Sequence, residues 1–324
     1  MVCSLASSCC LTFPIEGDQM LWIIQIVSVM AIIGLAPLIW GIAQKTKAHF
    51  QGRQGPSLLQ PYQIFAKTWN KETVVPEGSS WVFRLSPSVN VATLIVIAAS
   101  IPWAGQVPTN WPHNVLSVFF LLGLERFSVA LAGLDSATTF GGLGASRIAT
   151  IGSGVEPAML AAFGVLWVVS RHTQIETVAP FFANASPSGF LPWGLAVLSY
   201  LFIVIAETGR LPVDNPDTHL ELTMMHEATL LEYSGRLLAQ EQLAMAMKFT
   251  IIIGLGWVWL GPVGPSPWVN VLLHVAEIGS SAMVLAWMES RFVKLRYFHL
   301  PRYFTLGAGI GLLGFYLAMS GGVR

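Results

Sequence analysis

Charged residues are scarce in this chain. They make up 10% of its 324 residues, whereas 54% of the residues are hydrophobic. A soluble domain carries about 25% charged residues, so this chain has too few of them to cover a surface that faces water. The composition therefore excludes a water-soluble domain and predicts a membrane protein.

The chain also lacks a net charge and a recognisable set of cysteine or histidine ligands for a cofactor. The net charge of zero argues against a nucleic-acid partner. All three cysteines (Cys3, Cys9 and Cys10) precede the first apolar stretch, so they predict neither a disulfide framework nor an iron–sulfur site. Only His274 lies clearly inside an apolar stretch, whereas a membrane b-type haem needs facing histidines. We therefore expect no metal site and no redox centre on this chain.

Long hydrophobic stretches are what the sequence does contain. Eight of them reach the roughly 17–25 residues that a bilayer crossing needs. We predict an all-α, polytopic membrane protein, with an N-terminal extension over residues 1–19 and a single eight-helix membrane domain over residues 20–324. The predicted spans are 20–43, 88–106, 113–134, 153–171, 190–208, 241–260, 268–289 and 302–320.

Basic residues fall on alternate connections between these spans. Most of the 17 lysines and arginines lie there, and the intervening connections 107–112 and 261–267 have none. Cytoplasmic connections carry the excess of Lys and Arg, so we expect a protein of the cytoplasmic (inner) membrane with both termini outside. Two of the basic connections are long. The four predicted cytoplasmic connections are 44–87, 135–152, 209–240 and 290–301.

The connection 209–240 contains a predicted acidic helix. Asp214 or Asn215 can cap it, with Pro216 at its first position, and Ser234-Gly235 would end it after Tyr233. Its carboxylates fall close to one face. A solvated acidic face explains the same spacing, and the spacing does not decide between the two interpretations. The carboxylates in question are Asp217, Glu221 and Glu232.

Ionisable residues inside the predicted spans point to an ion path. A charge at the bilayer centre costs roughly 2.5–3.5 kcal/mol, so such residues need partners or water. The alternative is a set of interhelical ion pairs, such as Glu125 with Lys248 or Arg126 with Glu277. Other ionisable residues at or near membrane depth are Glu156, Glu207 and Asp135, the last of which would serve equally as an interfacial charge.

Two segments resemble the subunit 1 family of respiratory complex I. Residues 52–62 read GRQGPSLLQPY, and residues 206–214 read AETGRLPVD. Residues 133–147 and 214–227 are similar to the hydrogenase branch of that family, namely the membrane subunits of formate hydrogenlyase and of Ech-type and CO-linked energy-converting nickel–iron hydrogenases. The quinone-reducing branch shows Phe and a more acid-rich helix where this chain has Val213 and His219.

The resemblance implies partners and cofactors outside this chain. It implies a docked hydrophilic arm with a nickel–iron hydrogenase large subunit and an iron–sulfur small subunit, and lateral contact with an antiporter-like membrane subunit. The nickel–iron centre and the iron–sulfur clusters would belong to those partners. Arg53, Arg147 and Arg210 would hold loops or the docked arm, with ordinary positive-inside anchoring as the alternative.

The resemblance also implies a proton path. The family's carboxylates carry over to Glu207, Glu221, Glu232, Glu156 and Asp214. Depth in the membrane adds Glu125, and position adds Asp217 and Asp135. The function that follows is a proton-translocating, coupling subunit of an energy-converting nickel–iron hydrogenase.

Two other functions remain open at this point. One is the quinone-site subunit of an NADH:quinone oxidoreductase, for which a lipid-accessible chamber between spans one and six and sensitivity to quinone-site inhibitors would be the signs. The other is a passive membrane anchor, which predicts that the buried carboxylates are all paired and that their removal affects assembly only.

Overall fold

Helices make up most of the described chain. The structure is a computed structural model, and no strand occurs in the residues it describes, where an isolated bridge joins Asn114 and Gln174. Eight of the helices are long and apolar enough to cross a membrane. The predicted fold class, an all-α polytopic membrane protein, is confirmed. The residues described are 15–105, 113–170, 172–175, 187–214, 225–261 and 264–320.

Ten α-helices follow one another along the described chain. Two of them, the second and the seventh, are too short to cross a bilayer. A single 3-10 turn, Tyr297–His299, leads into the last helix. The helices are α1 (Ile15–Phe50), α2 (Gln60–Trp69), α3 (Trp81–Ser100), α4 (Val115–Asp135), α5 (Thr139–Ser170), α6 (Pro187–Glu207), α7 (His226–Leu230), α8 (Gly235–Leu260), α9 (Pro267–Arg291) and α10 (Leu300–Ser320).

Helix α3 begins and ends earlier than its predicted span, 88–106. Pro87 lies inside the helix, although proline has no N–H and leaves the carbonyl four residues before it without a helical partner. The hydroxyl of Tyr233 donates to that carbonyl, on Phe83, at 3.3 Å. A tertiary contact thus satisfies the group that the proline leaves free, and the helix can start at Trp81.

Helix α5 begins at Thr139, so it includes most of the predicted connection 135–152 and is longer than the predicted span 153–171. Glycines in this segment favour a loop when the sequence is considered alone. In the fold they allow close helix contacts. A Cβ on Gly144 would lie 2.8 Å from the Thr229 side chain, and a Cβ on Gly141 would lie 2.5 Å from the Gly133 carbonyl oxygen.

The acidic helix predicted over residues 217–233 differs from the helix that the structure contains in this segment. Its first part falls in residues 215–224, outside the described residues. Its second part is α7, which ends at Leu230. Ser234 does not end that helix; it immediately precedes α8, whose first residue, Gly235, has φ +54.

The spanning helices pack as two groups that meet along α4 and α8. Helices α1, α3, α8 and α9 form one group, and α5, α6 and α10 form the other. Helix α4 contacts both α3 and α5, and α8 contacts α6. Charged side chains on α4, α5, α6 and α8 therefore face one another inside the bundle.

Candidate functional site

Lys248 on α8 lies between two carboxylates from two other helices. Its Nζ donates a hydrogen bond to Glu125 Oε2 at 2.7 Å and lies 3.0 Å from Glu207 Oε2. All three side chains are buried. The positive charge of Lys248 therefore holds both carboxylates.

Arg126, next to Glu125 on α4, extends this network towards α5. Its Nε lies 3.3 Å from Glu207 Oε1, and its Nη1 lies 3.6 Å from Glu156 Oε1. The same Nη1 donates to the Gly152 carbonyl at 3.4 Å. The Glu156 side chain is 48% exposed on the outside of the chain, whereas that of Glu207 is 1% exposed. The network thus runs from the centre of the bundle to its surface.

Glu241, seven residues before Lys248 on α8, adds a fourth carboxylate. It is 4% exposed and accepts a 2.8 Å hydrogen bond from the Asn90 side chain of α3. Within the described residues it has no Lys, Arg or His within 4 Å. Sequence reasoning missed it, because it is the first residue of the predicted span 241–260 and resembled an interfacial charge.

A small cavity joins these groups. It has a volume of about 50 Å³, and about 10–15 Å³ suffices for one water molecule. It is polar enough to hold water, because carboxylates and a lysine line it. Its ionisable lining residues are Glu125, Glu207, Glu241, Lys248, Asp214, His226 and Glu227.

A second buried cluster ties the segment after α6 to α1 and α9. Glu289 accepts from Arg210 at 3.1 Å and lies 3.1 Å from Lys47 Nζ. The Arg210 guanidinium stacks over Trp40 at 4.2 Å and over Phe249 at 4.6 Å. Sequence reasoning missed Glu289, which ended a predicted span and so resembled a surface charge.

Asp214 belongs to a third cluster. Its carboxylate accepts from Lys294 at 2.7 Å and lies 3.5 Å from His226 Nδ1. Burial raises the pKa of this carboxyl, but the hydrogen bonds and positive charges of His226 and Lys294 outweigh it and lower the pKa to about 2. The backbone N–H of Leu295 donates to the Pro212 carbonyl beside it. The cluster fastens the segment after α6 to the segment after α9.

Asp135 caps a helix. Its Oδ2 accepts from the backbone N–H groups of Ser80 and Phe83 at 2.9 and 3.0 Å and from the Ser80 hydroxyl at 2.9 Å. These are the free donors at the start of α3. Asp135 lies apart from the network of Glu125, Lys248 and Glu207.

The remaining predicted site residues are dispersed. Glu232 is half-buried, Arg53 is exposed, and Arg147 lies 5.7 Å from the centre of the Tyr297 ring. Asp217 and Glu221 lie outside the described residues, as do Cys3, Cys9 and Cys10. In the described part of the chain, no group of three or more His, Cys, Asp and Glu side chains is arranged to hold a metal.

Of the two ion pairs considered from the sequence, one is present. Lys248 and Glu125 are paired as expected. The pairing of Arg126 with Glu277 was wrong, because Arg126 lies beside Glu156 and Glu207. Glu277 lies instead within 3.0 Å of His274, three residues earlier on α9.

A larger cavity of about 460 Å³ lies between α1, α2, α7 and α8. Its polar lining includes Lys47, Arg210 and Glu227, and its apolar lining includes Phe65 and Leu243. Helices α1 and α8 are the first and sixth spans. A cavity therefore lies between the two spans for which a chamber was considered from the sequence.

Comparison with known proteins gives a consistent result. A family model described as NADH dehydrogenase matches residues 22–316. The chain is 28% identical to formate hydrogenlyase subunit 4 of Escherichia coli, over 90% of this chain and 96% of that one. It is 32% identical to hydrogenase-4 component C of the same organism, over 74% and 75%. It is 28% identical to the H subunit of the NADH-quinone oxidoreductase of Rhodospirillum rubrum, over 87% and 89%.

A solved structure shares the fold. A chain of the membrane-bound sulfane sulfur reductase, an archaeal respiratory membrane complex, superimposes with a TM-score of 0.81 at 17% identity. The match covers 92% of this chain and 99% of that one. At this identity the likeness shows the fold alone.

Proposed function

Because the chain belongs to the NADH dehydrogenase family, we propose that it is the membrane subunit that couples a redox reaction to proton translocation in an energy-converting hydrogenase complex. The two Escherichia coli relatives named above are a formate hydrogenlyase subunit and a hydrogenase component, and they favour the hydrogenase branch. Electron transfer would take place on nickel–iron and iron–sulfur partner subunits.

The observation that carries the proposal is an excess of buried carboxylates over cations. The network contains three buried carboxylates (Glu125, Glu207 and Glu241), the half-exposed Glu156 and two buried cations, Arg126 and Lys248. Burial disfavours a net charge, so the network lowers its energy by binding protons. A set of carboxylates that shares fewer protons than it has sites can pass a proton when a neighbouring charge changes.

A passive anchor fits less well. That function predicts that the buried carboxylates are all paired. Glu241 has an amide partner, Asn90, and in the described part of the chain no cation lies within 4 Å of it. A buried carboxylate without a cationic partner is costly when it is ionised, so it suits a proton carrier better than a structural element.

The coupling would act through the segments that flank α7. Asp214 and His226 line the same small cavity as Glu207, and Arg210 and Lys47 bind Glu289 next to it. A hydrophilic arm docked on the basic connections would alter this region when its charge changes. The half-exposed Glu156 lies at membrane depth, where a lipid-facing charge is costly, so an antiporter-like subunit would cover it.

The test is replacement of Glu207 by Gln in the complete complex. The amide keeps the shape and removes the exchangeable proton. We expect assembly and hydrogen turnover to persist while proton transport into proteoliposomes is lost. Glu77 is an exposed carboxylate between α2 and α3. The complex with Glu77→Gln is the matched control and should transport protons normally. Normal transport in the Glu207→Gln variant would refute the proposal.

A second candidate is the quinone-site subunit of an NADH:quinone oxidoreductase. The 460 Å³ cavity between the first and sixth spans favours it, as does the likeness to the Rhodospirillum rubrum protein. Ala246 lines the cavity, and Ala246→Phe would fill part of it. In a quinone reductase this change should lower quinone turnover and inhibitor sensitivity. In a hydrogenase it should leave hydrogen evolution from a reduced low-potential donor intact.

A further inference from the structure

A second ionisable pair lies away from the network, on α9. His274 Nδ1 is 3.0 Å from Glu277 Oε2, and the two side chains are 11% and 12% exposed. They lie near the end of α8 at which the connection 261–266 leads into α9, and that connection has no Lys or Arg. The other end of α9 is followed by Arg291 and Lys294. The pair is therefore nearer the side opposite the basic connections.

The surroundings of the pair disfavour a negative charge. Helix α8 ends at Leu260, and a Cβ built on the next residue, Gly261, would lie 2.8 Å from Glu277 Oε1 and 2.8 Å from the Trp257 carbonyl oxygen. The carboxylate thus faces the carbonyl end of α8, which carries a partial negative charge. In the described part of the chain, His274 is the one ionisable side chain within 4 Å of the Glu277 carboxylate that could pair with it.

The neighbours on the packed elements are uncharged. The Trp103 ring stands edge-on to His274 at 6.1 Å. Asn270 binds the Gly264 N–H and the Ala104 carbonyl. Gln25, on α1, donates to backbone carbonyls at the end of α3. No Lys or Arg on these described elements lies close enough to form an ion pair with the histidine or the glutamate.

These contacts allow two charge states of the pair that differ by one proton. With a neutral imidazole and an ionised carboxylate the pair carries one negative charge. With one more proton it is neutral overall, as an imidazolium–carboxylate or as an imidazole–carboxylic acid pair. Burial and the carbonyl end of α8 favour the second state, and both side chains keep some access to the surface.

We infer that His274 and Glu277 form a proton-exchange site nearer the side opposite the basic connections, which passes one proton at a time between the proton path and the water phase on that side. The inference rests on the proposed function, because this site would be the point at which the proton path meets that phase. A sodium site is disfavoured, since an imidazole nitrogen is a poor ligand for a hard cation.

The test uses the complete complex in proteoliposomes of known orientation. The pH is varied on one side at a time while proton transport and hydrogen turnover are recorded. We expect Glu277→Gln to abolish the dependence of transport on pH at the side opposite the basic connections and to leave the dependence on the other side. His274→Asn should shift the first dependence to another pH. An unchanged dependence in Glu277→Gln would overturn the inference.

A matched control separates proton exchange from packing. Ser281→Ala removes the 2.6 Å hydrogen bond from the Trp257 indole, which is another contact between α8 and α9. It changes no titratable group, so it should behave as the unmodified complex. Loss of the pH dependence in Ser281→Ala as well would assign the effect to packing and overturn the inference.

Infrared spectroscopy tests the site independently of transport. A carboxyl or an imidazolium band should titrate with pH in the unmodified complex, according to which member of the pair holds the proton, and this titration should change in Glu277→Gln. Absence of any titrating band that depends on Glu277 would refute the site even where transport is coupled. A titrating band in a complex whose transport survives Glu207→Gln would support the site and refute the proposed relay.

Discussion

Lys248 donates a hydrogen bond to Glu125 across 2.7 Å, which joins the sixth spanning helix to the third. The same ammonium group lies 3.0 Å from Glu207 on α6. One lysine therefore holds two carboxylates from different helices. A proton on either carboxylate would remove that carboxylate's negative charge, and the lysine would then pair with the other carboxylate.

Lys248→Met should destabilise the subunit and stop proton transport. Removing one member of a buried ion pair leaves an uncompensated charge and costs about 3–5 kcal/mol. The second change Glu125→Gln removes one of the orphaned carboxylates and should restore part of the lost stability without restoring transport. Thermal unfolding of the purified complex measures the first effect, and proteoliposome transport measures the second. Equal melting temperatures for the single and double variants would contradict the pairing.

Glu241→Gln should leave stability unchanged or raise it. The amide can still bind the Asn90 side chain, and the substitution removes a buried acid that lacks a cationic partner. We expect slower proton transport in this variant, since one proton site of the network is gone. Asn90→Ala, which removes the partner and keeps the acid, should lower the melting temperature instead. A large loss of stability in Glu241→Gln would show that the carboxylate is ionised and structurally required.

Asp135→Ala should weaken the start of α3 and leave coupling intact. Loss of a helix cap costs about 0.5–2 kcal/mol, and three donors lose their acceptor here. Asp135→Asn keeps an oxygen acceptor and should lose less. Melting temperature and transport per hydrogen turned over are the measurements. Loss of proton transport in the Asp135→Asn variant at normal stability would show that Asp135 does take part in the proton path.

Asp214→Asn should destabilise the protein in a pH-dependent way. The pKa of the Asp214 carboxyl falls from an ordinary 3.8 to about 2, because His226 and Lys294 outweigh the effect of burial. A lowered pKa contributes stability above pH 4, on the order of 2 kcal/mol, and that stability is lost as the pH falls from about 4 towards 2. The difference in melting temperature between the two proteins should therefore shrink as the pH falls below 4.

The same pKa bears on the proton path. A carboxyl that stays ionised down to about pH 2 cannot exchange protons near neutrality. We therefore expect Asp214→Asn to keep its transport per turnover wherever the complex remains folded. Lys294→Met, which removes one of the two cationic partners, should reproduce the loss of stability. Transport lost at full stability in Asp214→Asn would assign Asp214 to the relay after all.

The class of the protein and the number of its spans could be predicted from the sequence alone. Hydrophobic length is a local property, and a bilayer requires every backbone group within a span to be bonded inside its own helix. The sequence also marked Glu125, Glu156 and Glu207, because a charge within an apolar stretch is visible in the sequence alone. Helix ends were less certain, since Pro87 is accommodated by the Tyr233 hydroxyl, which comes from a distant part of the chain.

Which charged side chains meet could not be predicted from the sequence, because it depends on how the helices pack. Arg126 lies beside Glu207 and not Glu277, because α4 packs against α5 and faces the end of α6. Glu241 and Asp135 have similar chemistry and both lie at the ends of predicted spans. The fold buries the first within the bundle and sets the second against the free N–H groups of α3. Pairing depends on distances between helices, which hydropathy does not encode.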